Sequence, residues 1–449
     1  MNANLEMLKK EKEEMLKRKW AELEAAIPEE FRADIIRELK TLYSLYDDKA
    51  VEWMAGLYDP GVGGFYCAES ARDTEAFLPD IEDTFYAFSL VGSLGMAERF
   101  DGKWEKALPR DILEKAAEWI VSLQREDGYF YHPQWADYKI ETRIIRDRGS
   151  ANTVLNKIGV KPKYEFVAPS AKKDDGKKAS PLPQYESLEA FKAHLAEFER
   201  ELVDMPRDKK NFRFYWLGNH FQGVTGLLTP EMRDLLKEFF DKYQNPETGM
   251  WTDELCYNST NGIHKIGCVY NWTGKQLNHI DKIVDSTLEI LKWGVEDHPA
   301  DCTCNIYNVW SCLPYIYQNI RSCGEGTPEE REAKCEAIKR RVFSGVADAI
   351  HKTYEQMIDY LLPDGSFSYC RHSSVWSMQG CHSAVKDTKE GDLGGFAIAV
   401  YDMPHYILAA LELEKYQIPV FAEYDRVRFI DALYKRVPVV KKNPRPDYL

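Results

Sequence analysis

The chain has 449 residues, of which 44% are hydrophobic and 13% aromatic, so it can bury the core of one large domain or of two or three average ones. Its net charge of −14, from 59 basic and 73 acidic residues, argues against a nucleic-acid partner. The N-terminus lacks the apolar segment of a signal peptide, and no run approaches ~18 apolar residues. We therefore expect a cytoplasmic protein without a membrane partner, whose ten cysteines are thiols.

Helix-forming segments come first along the chain. Residues 4–26, 28–46 and 48–57 have the apolar spacing of amphipathic helices. We expect residues 1–47 to form helices that pack on a larger domain, residues 48–449. Long alternating β patterns are absent, which predicts an all-α fold with few or no strands.

A turn motif repeats after several of the predicted helices. In each copy an Asp or Glu precedes a glycine, and an aromatic residue follows within a few positions. The four glycines are Gly64, Gly128, Gly249 and Gly365. Their separations of 64, 121 and 116 residues indicate a repeat of roughly 60 residues, which is the size of a helix hairpin with two turns.

One segment, residues 136–212, interrupts this repeat. It contains the charged sequence KKDDGKK, the turn-forming sequence SPLP and little apolar periodicity before a charged helix near 187–205. We expect an insertion that is partly a long surface loop over the site, without enough apolar residues for a core of its own.

Repeated helix hairpins with Asp-Gly-aromatic turns resemble the α/α-toroid superfamilies. These include six-hairpin glycoside hydrolases, polysaccharide lyases, terpene cyclases and prenyltransferases. The resemblance covers roughly residues 50–415. It implies an (α/α)6-type toroid of antiparallel hairpins, in which inner helices surround a cavity and one rim holds the chemistry.

Two sets of motifs favour different members of these superfamilies. PDIEDT (79–84) resembles the Asp-x-Asp-Asp-Thr motif with which class II terpene cyclases protonate an alkene, and QREDGYF (124–130) resembles a repeat of squalene–hopene cyclases. The proton donor of that motif falls on Glu82, where the family has Asp. Several rim sequences, among them YDPGVGGFY (58–66), NPETGMW (245–251) and NGIHKI (261–266), are similar to the loops of sugar-processing toroids. We therefore place carbohydrate first and an isoprenoid cyclase second.

Glycoside hydrolysis needs two carboxylates on either side of the scissile bond. The candidates at predicted turns and helix starts are Glu82, Asp83, Asp253, Glu254 and Asp392. We expect Asp253 or Glu254 to act with one of the other three across the cavity as general acid and base. The structural alternative for each acid is a helix cap that accepts backbone N–H groups.

Aromatic, amide and basic side chains near the same turns predict a saccharide site. Rings stack on sugar faces, amides hold hydroxyl groups, and basic groups bind a uronate or sulfate. The candidates are Tyr66, Trp251 and Trp272 for stacking, Asn261 and His264 for hydroxyl groups, and Arg371, His372, Arg143, Arg146 and Arg148 for an anionic group.

A uronate lyase is the nearest alternative to the hydrolase. It removes the proton α to a carboxylate with a Tyr, His or Lys and neutralises that carboxylate with an amide or a cation. Residues 257–279 contain all of these types, and Tyr270 or His264 would be the base. A non-enzymatic helical-repeat interaction protein is the remaining alternative.

Cysteines and histidines cluster late in the chain, but their spacings match no closed zinc site well. The residues concerned are Cys302, Cys304, Cys370, His372, Cys381 and His382. Residues 301–308 faintly resemble a segment of the zinc-dependent β-L-arabinofuranosidases, which use three thiolates, a carboxylate and a cysteine nucleophile. The adjacent cysteine pair of that family is missing here, so we predict no metal and no cofactor, with zinc as the alternative. The expected partner is a small-molecule saccharide, and the chain is either a monomer or a homodimer.

Overall fold

The computed structural model describes residues 2–136, 140–166, 182–439 and 441, and these residues are mostly helical. The α-helices are α1 (Asn2–Ala26), α2 (Glu29–Tyr43), α3 (Ala50–Gly56), α4 (Glu69–Asp73), α5 (Ile81–Ser93), α6 (Trp104–Ala107), α7 (Arg110–Ser122), α8 (Ile140–Ile158), α9 (Leu188–Val203), α10 (Arg207–Val224), α11 (Pro230–Tyr243), α12 (Tyr257–Thr273), α13 (Ile280–Ile290), α14 (Thr303–Cys323), α15 (Pro328–Phe343), α16 (Val346–Ile358), α17 (Leu393–Ala397), α18 (Met403–Ala410) and α19 (Glu423–Tyr434). A π-helix, Ile398–Asp402, connects α17 to α18.

Strand structure in the described ranges is confined to two short antiparallel hairpins. β1 (Tyr58–Asp59) pairs with β2 (Gly64–Phe65), and β3 (Ser377–Met378) pairs with β4 (Cys381–His382). The predicted all-α class is therefore confirmed. No helix among the described residues has both the length and the apolar character that crossing a bilayer requires.

Six helical elements contact one another in cyclic order. α5 packs on α8, α8 on α10, α10 on α12, and α12 on α14. α14 packs on α18, and α17, which continues through the π-helix into α18, packs back on α5. The sequence of contacts therefore returns to the helix where it began, and we call these six elements the inner ring.

The other long helices pack around the inner ring. α7 contacts α8, α13 and α15 contact α14, α2 lies on α16, and α1 and α3 lie on α19. Thus the helices of residues 1–47 pack on elements that do not belong to the ring. Their apolar faces, with Leu23, Ile35 and Leu39 fully buried or nearly so, join the same core as the ring helices.

The predicted insertion is narrower than residues 136–212. Its first part forms α8, which belongs to the inner ring, and its last residues begin α10, another ring helix. The sequence obscured α8 because that helix buries charged residues as well as apolar ones. Arg143 and Asp147 are as fully buried as Val154 and Leu155. The KKDDGKK sequence lies outside the described residues.

The repeated turns have a common geometry. Gly128, Gly249 and Gly365 all have positive φ, whereas in the first copy the left-handed residue is Gly63 rather than the predicted Gly64. In two copies a glutamine at the end of the preceding helix donates from Nε2 to the carbonyl of the turn glycine. These bonds are Gln124 to Gly128 at 3.1 Å and Gln244 to Gly249 at 2.8 Å. Positive φ is strained for residues with a Cβ, so glycine is required there.

Gly128→Ala should destabilise the protein more than Gly159→Ala, although both glycines have positive φ. A Cβ at Gly128 would lie 2.4 Å from the carbonyl oxygen of Glu165, whereas a Cβ at Gly159 would meet nothing within 4 Å. The shared backbone strain is about 1–2 kcal/mol, and the clash adds about 1–3 kcal/mol at Gly128. Equal free energies of unfolding for the two variants in urea would contradict this account of the turn.

Candidate active site

A cavity of about 90 Å³ lies at the centre of the inner ring. Every element of the ring contributes to its wall, and the segment from Tyr369 to the β3–β4 turn contributes the rest. The lining residues are Tyr86, Arg146, Tyr215, Asn219, Lys265, Cys304, Tyr307, Tyr369, Met378, Gln379, Gly394, Ala397, Ile398 and Asp402. Four tyrosines, two amides, two cations, a thiol and a carboxylate thus share one small space.

Asp402 is the carboxylate of this wall. It stands at the end of the π-helix, whose wider turn changes which side chains of the helix face the cavity. Burial raises the pKa of Asp402 to about 7, and the positive charge of Lys265 opposes that rise. Because a carboxyl group with such a pKa is partly protonated near neutral pH, Asp402 is suited to general acid–base chemistry.

Cys304 is the nucleophilic group of the wall. The Tyr369 hydroxyl donates to its Sγ at 2.8 Å. The pKa of the Cys304 thiol is lowered, first by a hydrogen bond from Cys302 and further by Tyr369 and by the charge of Lys265, while burial and the charge of Asp402 oppose the shift. Burial raises the pKa of Tyr369 well above its ordinary value, so this hydroxyl remains a donor at neutral pH. A lowered pKa increases the thiolate fraction of Cys304.

Glu82 lies behind this wall in a network of buried ions. Arg143 donates from Nη1 to Glu82 Oε2 at 2.7 Å, Arg146 binds both oxygens of Glu82, and the Tyr86 hydroxyl donates to Oε1 at 3.0 Å. Burial alone would raise the pKa of Glu82, but the two arginines lower it to about 2. Glu82 is therefore ionised at neutral pH and lacks the proton that an alkene-protonating cyclase requires.

Asp83 and Asp392 are also buried but do not line the cavity. Asp392 caps α17 through the Gly395 amide at 2.8 Å and accepts the amides of Tyr369 and Val375 at 2.7 and 3.1 Å. Burial raises the pKa of Asp392 to about 7. Burial, together with the neighbouring charges of Asp80 and Glu82, raises the pKa of Asp83 well above the ordinary value. Asp392 is therefore a helix cap, which is the structural alternative expected for each candidate acid.

The candidates on α12 form a polar layer against α14. Asn261 donates to the Oδ1 of Asn305 at 2.8 Å and accepts from Asn308 at 2.6 Å. His264 Nδ1 lies 2.5 Å from the Ser311 hydroxyl, and its ring packs on Tyr307. Burial lowers the pKa of His264 well below its ordinary value, so the ring is neutral. Neither side chain lines the cavity, although the ring of His264 supports a tyrosine that does.

The remaining candidates lie away from the cavity. Asp253, Glu254 and His372 are exposed on the surface, Trp272 is 51% exposed, and Arg371 pairs with Asp359. The structure therefore does not bring Asp253 or Glu254 together with Glu82, Asp83 or Asp392.

Three buried aromatic candidates are held by structural hydrogen bonds. Trp251 donates to the Phe240 carbonyl at 2.8 Å, Tyr270 to Asp241 at 2.5 Å, and Tyr66 to Asp59 at 3.1 Å. Their rings pack in the interior and have no face open to a sugar.

Sequence reasoning missed Asp402 and the cavity tyrosines. Asp402 had a usable signal, because it is the one acid in the apolar sequence LGGFAIAVYDMPHYILAAL (393–411). The tyrosines had none, since Tyr86, Tyr215 and Tyr307 stand in ordinary amphipathic helices among 26 tyrosines. Cys304 was singled out, but as a metal ligand.

The cysteine–histidine set divides into separate places. Cys302 and Cys370 lie beside Cys304, where an isolated β-bridge pairs Cys302 with Cys370, but these thiols do not form a three-ligand group among the described residues. The His382 ring stacks on Trp376. Cys381 belongs to a different cluster, described below.

No protein-family profile, curated protein or solved structure matches this chain.

Glu82→Gln should lower the free energy of unfolding at pH 7 by about 3 kcal/mol, because the buried Arg143 and the partly buried Arg146 lose a charged partner. The folded pKa of Glu82, about 2, lies below the ordinary value of 4.5. Its stabilising contribution is therefore full above pH 4.5 and is lost as the pH falls toward 2. The stability difference between wild type and variant should shrink over this range in chemical denaturation.

Glu114→Gln is the matched control, because Glu114 also pairs with an arginine but its side chain is 53% exposed. This substitution should change stability by less than about 1 kcal/mol, with no comparable acid dependence. Parallel pH–stability curves for wild type and Glu82→Gln between pH 5 and 2 would count against the buried network.

Proposed function

We propose that the inner ring belongs to an (α/α)6-type toroid. Three observations support this: six inner elements with cyclic contacts, outer helices that connect them, and glycine turns of common geometry at the predicted spacing. A toroid places its binding cavity at the centre of the inner helices, which is where the polar cavity of this chain lies.

Within that architecture we propose a glycoside hydrolase that uses Asp402 and Cys304. The observation that carries the proposal is the shared cavity wall. A carboxyl group whose pKa is raised to about 7 and a thiol whose pKa is lowered both open onto the same polar space. Such opposite shifts mark an acid and a nucleophile in one site. Asp402 and Cys304, which the inner ring brings together, thus take the catalytic roles that were expected of Asp253 and Glu254, which are exposed.

The cavity also suits a sugar. Tyrosine rings provide flat faces, while Asn219, Gln379 and the tyrosine hydroxyls can exchange hydrogen bonds with sugar hydroxyls. At about 90 Å³ the cavity is smaller than the sites that enclose whole drug-sized ligands. We therefore propose that only a terminal sugar unit enters, so the enzyme removes units from a chain end.

The first step forms a covalent intermediate. The Cys304 thiolate attacks the anomeric carbon, a C–S bond forms, and the glycosidic C–O bond breaks. Asp402 gives its proton to the departing oxygen, which leaves as an alcohol. The Lys265 charge and the Tyr369 hydroxyl stabilise the thiolate before attack.

The second step releases the sugar. Asp402, now a carboxylate, takes a proton from water, whose oxygen attacks the anomeric carbon. The C–S bond breaks and Cys304 returns as a thiolate, so that the net reaction is hydrolysis with two inversions.

A uronate lyase is the second candidate, favoured by one observation. Arg146 and Lys265 both line the cavity, and tyrosine hydroxyls lie beside them. Lys265 can neutralise a uronate carboxylate, with Arg146, already paired with Glu82, adding positive charge nearby, while a tyrosine removes the α proton. In this mechanism a tyrosine of the cavity wall acts as the base in place of Tyr270 or His264. Formation of an unsaturated, ultraviolet-absorbing product from any uronide would support this candidate over the hydrolase.

Asp402→Asn should reduce kcat/KM on alkyl or sugar glycosides by about 10²–10⁴-fold, because the leaving oxygen loses its proton donor. The loss should be much smaller on dinitrophenyl glycosides, whose leaving group needs no proton. Wild-type kcat/KM should fall as the pH rises above about 7, where Asp402 loses its proton, and the variant should lack this limb. A panel of glycosides assayed across pH 5–9 measures all three effects.

The controls for this experiment are Asp253→Asn and Glu254→Gln, which alter exposed acids and should leave the kinetics unchanged. Equal losses for Asp402→Asn on both classes of glycoside would contradict a proton-donor role.

Cys304→Ala should abolish turnover, and wild-type enzyme quenched during hydrolysis of an activated glycoside should carry one sugar on the peptide that contains Cys304. Mass spectrometry measures the adduct. Cys335→Ser is the control, because Cys335 is a buried thiol between α14 and α15, where its Sγ lies 3.8 Å from the Tyr317 carbonyl. Full activity of Cys304→Ala would remove this cysteine from the mechanism.

A further inference from the structure

A buried trio of metal-ligand groups lies at the start of α5, outside the wall of the central cavity. It consists of Asp80, His132 and Cys381, whose side chains are 3%, 4% and 0% exposed. Cys381 Sγ is 2.9 Å from Asp80 Oδ2 and 3.8 Å from His132 Nδ1, and the three ligand atoms lie within 4.8 Å of one another. The residues come from three distant parts of the chain.

Local hydrogen bonds leave one ligand atom of each residue directed at the others. His132 Nε2 donates to the Pro79 carbonyl at 2.8 Å, a bond that fixes the tautomer and leaves the Nδ1 lone pair toward Cys381. A carbonyl on the second ring nitrogen is the usual outer partner of a metal-bound histidine. Besides the Cys381 thiol, Nδ1 meets the backbone N–H of Gln134, in a long hydrogen bond of 3.3 Å.

The two carboxylate oxygens of Asp80 also have different partners. Oδ1 caps α5 by accepting the amides of Glu82 and Asp83 at 2.7 and 3.1 Å, while Oδ2 faces Cys381. The helix therefore holds the carboxylate in place with one oxygen and leaves the other for a ligand.

Arg143 is the cation close to Asp80. Its Nη2 lies 3.8 Å from Asp80 Oδ2, beyond hydrogen-bond distance, and its nitrogens already pair with Glu82 and Asp147. Arg143 therefore compensates the charge of Asp80 only in part, and Oδ2 can still bind a cation.

We propose that Asp80, His132 and Cys381 bind a zinc ion. One oxygen, one nitrogen and one sulfur ligand suit zinc better than calcium or magnesium, which prefer oxygen alone. Zinc–ligand distances of about 2.0–2.3 Å give edges of roughly 3.3–3.8 Å in a tetrahedron. The Sγ–Nδ1 distance already has this value, and the Sγ–Oδ2 distance would widen by about half an ångström. Water would complete the tetrahedron.

Binding requires the thiol to lose its proton. Cys381 Sγ donates to Asp80 Oδ2 and His132 Nε2 donates to the Pro79 carbonyl, so the site without zinc holds a thiol and an imidazole whose Nδ1 carries no proton. Zinc therefore forms the Zn–S bond as the S–H proton passes to solvent. About one proton per zinc ion should be released near pH 7.

The ion would tie together the segments that support the cavity. Cys381 lies on β4, and the β3–β4 hairpin presents Met378 and Gln379 to the central cavity. The His132 segment already bonds to this hairpin through Ala136 to Gly380 at 2.7 Å and His382 to Gln134 at 3.1 Å. Zinc would add bonds from both to the start of α5, so its role is to hold the cavity wall.

The test is zinc titration of the full chain, purified without metal, with metal content, calorimetry and thermal melting as readouts. We expect about one zinc ion per chain, release of about one proton in buffers of different ionisation enthalpy, and a melting temperature at least about 3 °C higher. Cobalt should give a tetrahedral spectrum with a thiolate charge-transfer band. Cys381→Ser and His132→Gln should lose zinc and the melting shift.

Cys335→Ser and Cys302→Ser are the matched controls. Cys335 is a buried thiol in the core, and Cys302 is a thiol beside Cys304. Both variants should bind zinc as wild type does. Circular dichroism checks that the two ligand variants are folded. If either is not, the cobalt spectrum of the wild-type protein decides, because a spectrum without a thiolate band overturns the site. Absence of zinc uptake by wild type, undiminished uptake by Cys381→Ser, or loss of uptake in Cys302→Ser would each overturn it as well.

Discussion

The buried ion network at the start of α5 constrains the rest of the molecule. Arg143 is completely buried, and its guanidinium reaches Glu82, Asp147 and the Met378 carbonyl. Removing an ion from water costs several kcal/mol, so such a group is tolerated only when opposite charges and acceptors surround it. This one side chain therefore fixes α5, α8 and the β3–β4 hairpin relative to one another.

The network also organises the cavity. Arg146 and Tyr86 bind the same Glu82 and present their other surfaces to the central space. Across that space the π-helix presents Asp402, and α12 presents Lys265. Burial raises the pKa of Asp402, whereas hydrogen bonds from Cys302 and Tyr369, together with the charge of Lys265, lower the pKa of Cys304.

Acids with similar sequence surroundings thus have different roles in the folded protein. Glu82 is held ionised by two arginines, Asp392 caps a helix, Asp80 caps α5 and faces a thiol, and Asp402 faces the cavity. A sequence shows that such acids stand near glycine turns or helix starts. Glu82 meets Arg143 61 residues away and Asp80 meets Cys381 301 residues away, so neither the protonation nor the role of these acids follows from local pattern.

The sequence by itself determined the all-α class, most of the helices and the glycine turns, because these depend on apolar spacing and on local backbone strain. It also placed Glu82 and Asp83 at a turn or helix start, and both lie in the first turn of α5. Only the tertiary structure decided that α8 is a ring helix, that Trp251 and Tyr66 are internal, and that Asp402 and Cys304 share a cavity. Those outcomes depend on which distant groups neutralise or desolvate each side chain, and that is a property of the packed fold.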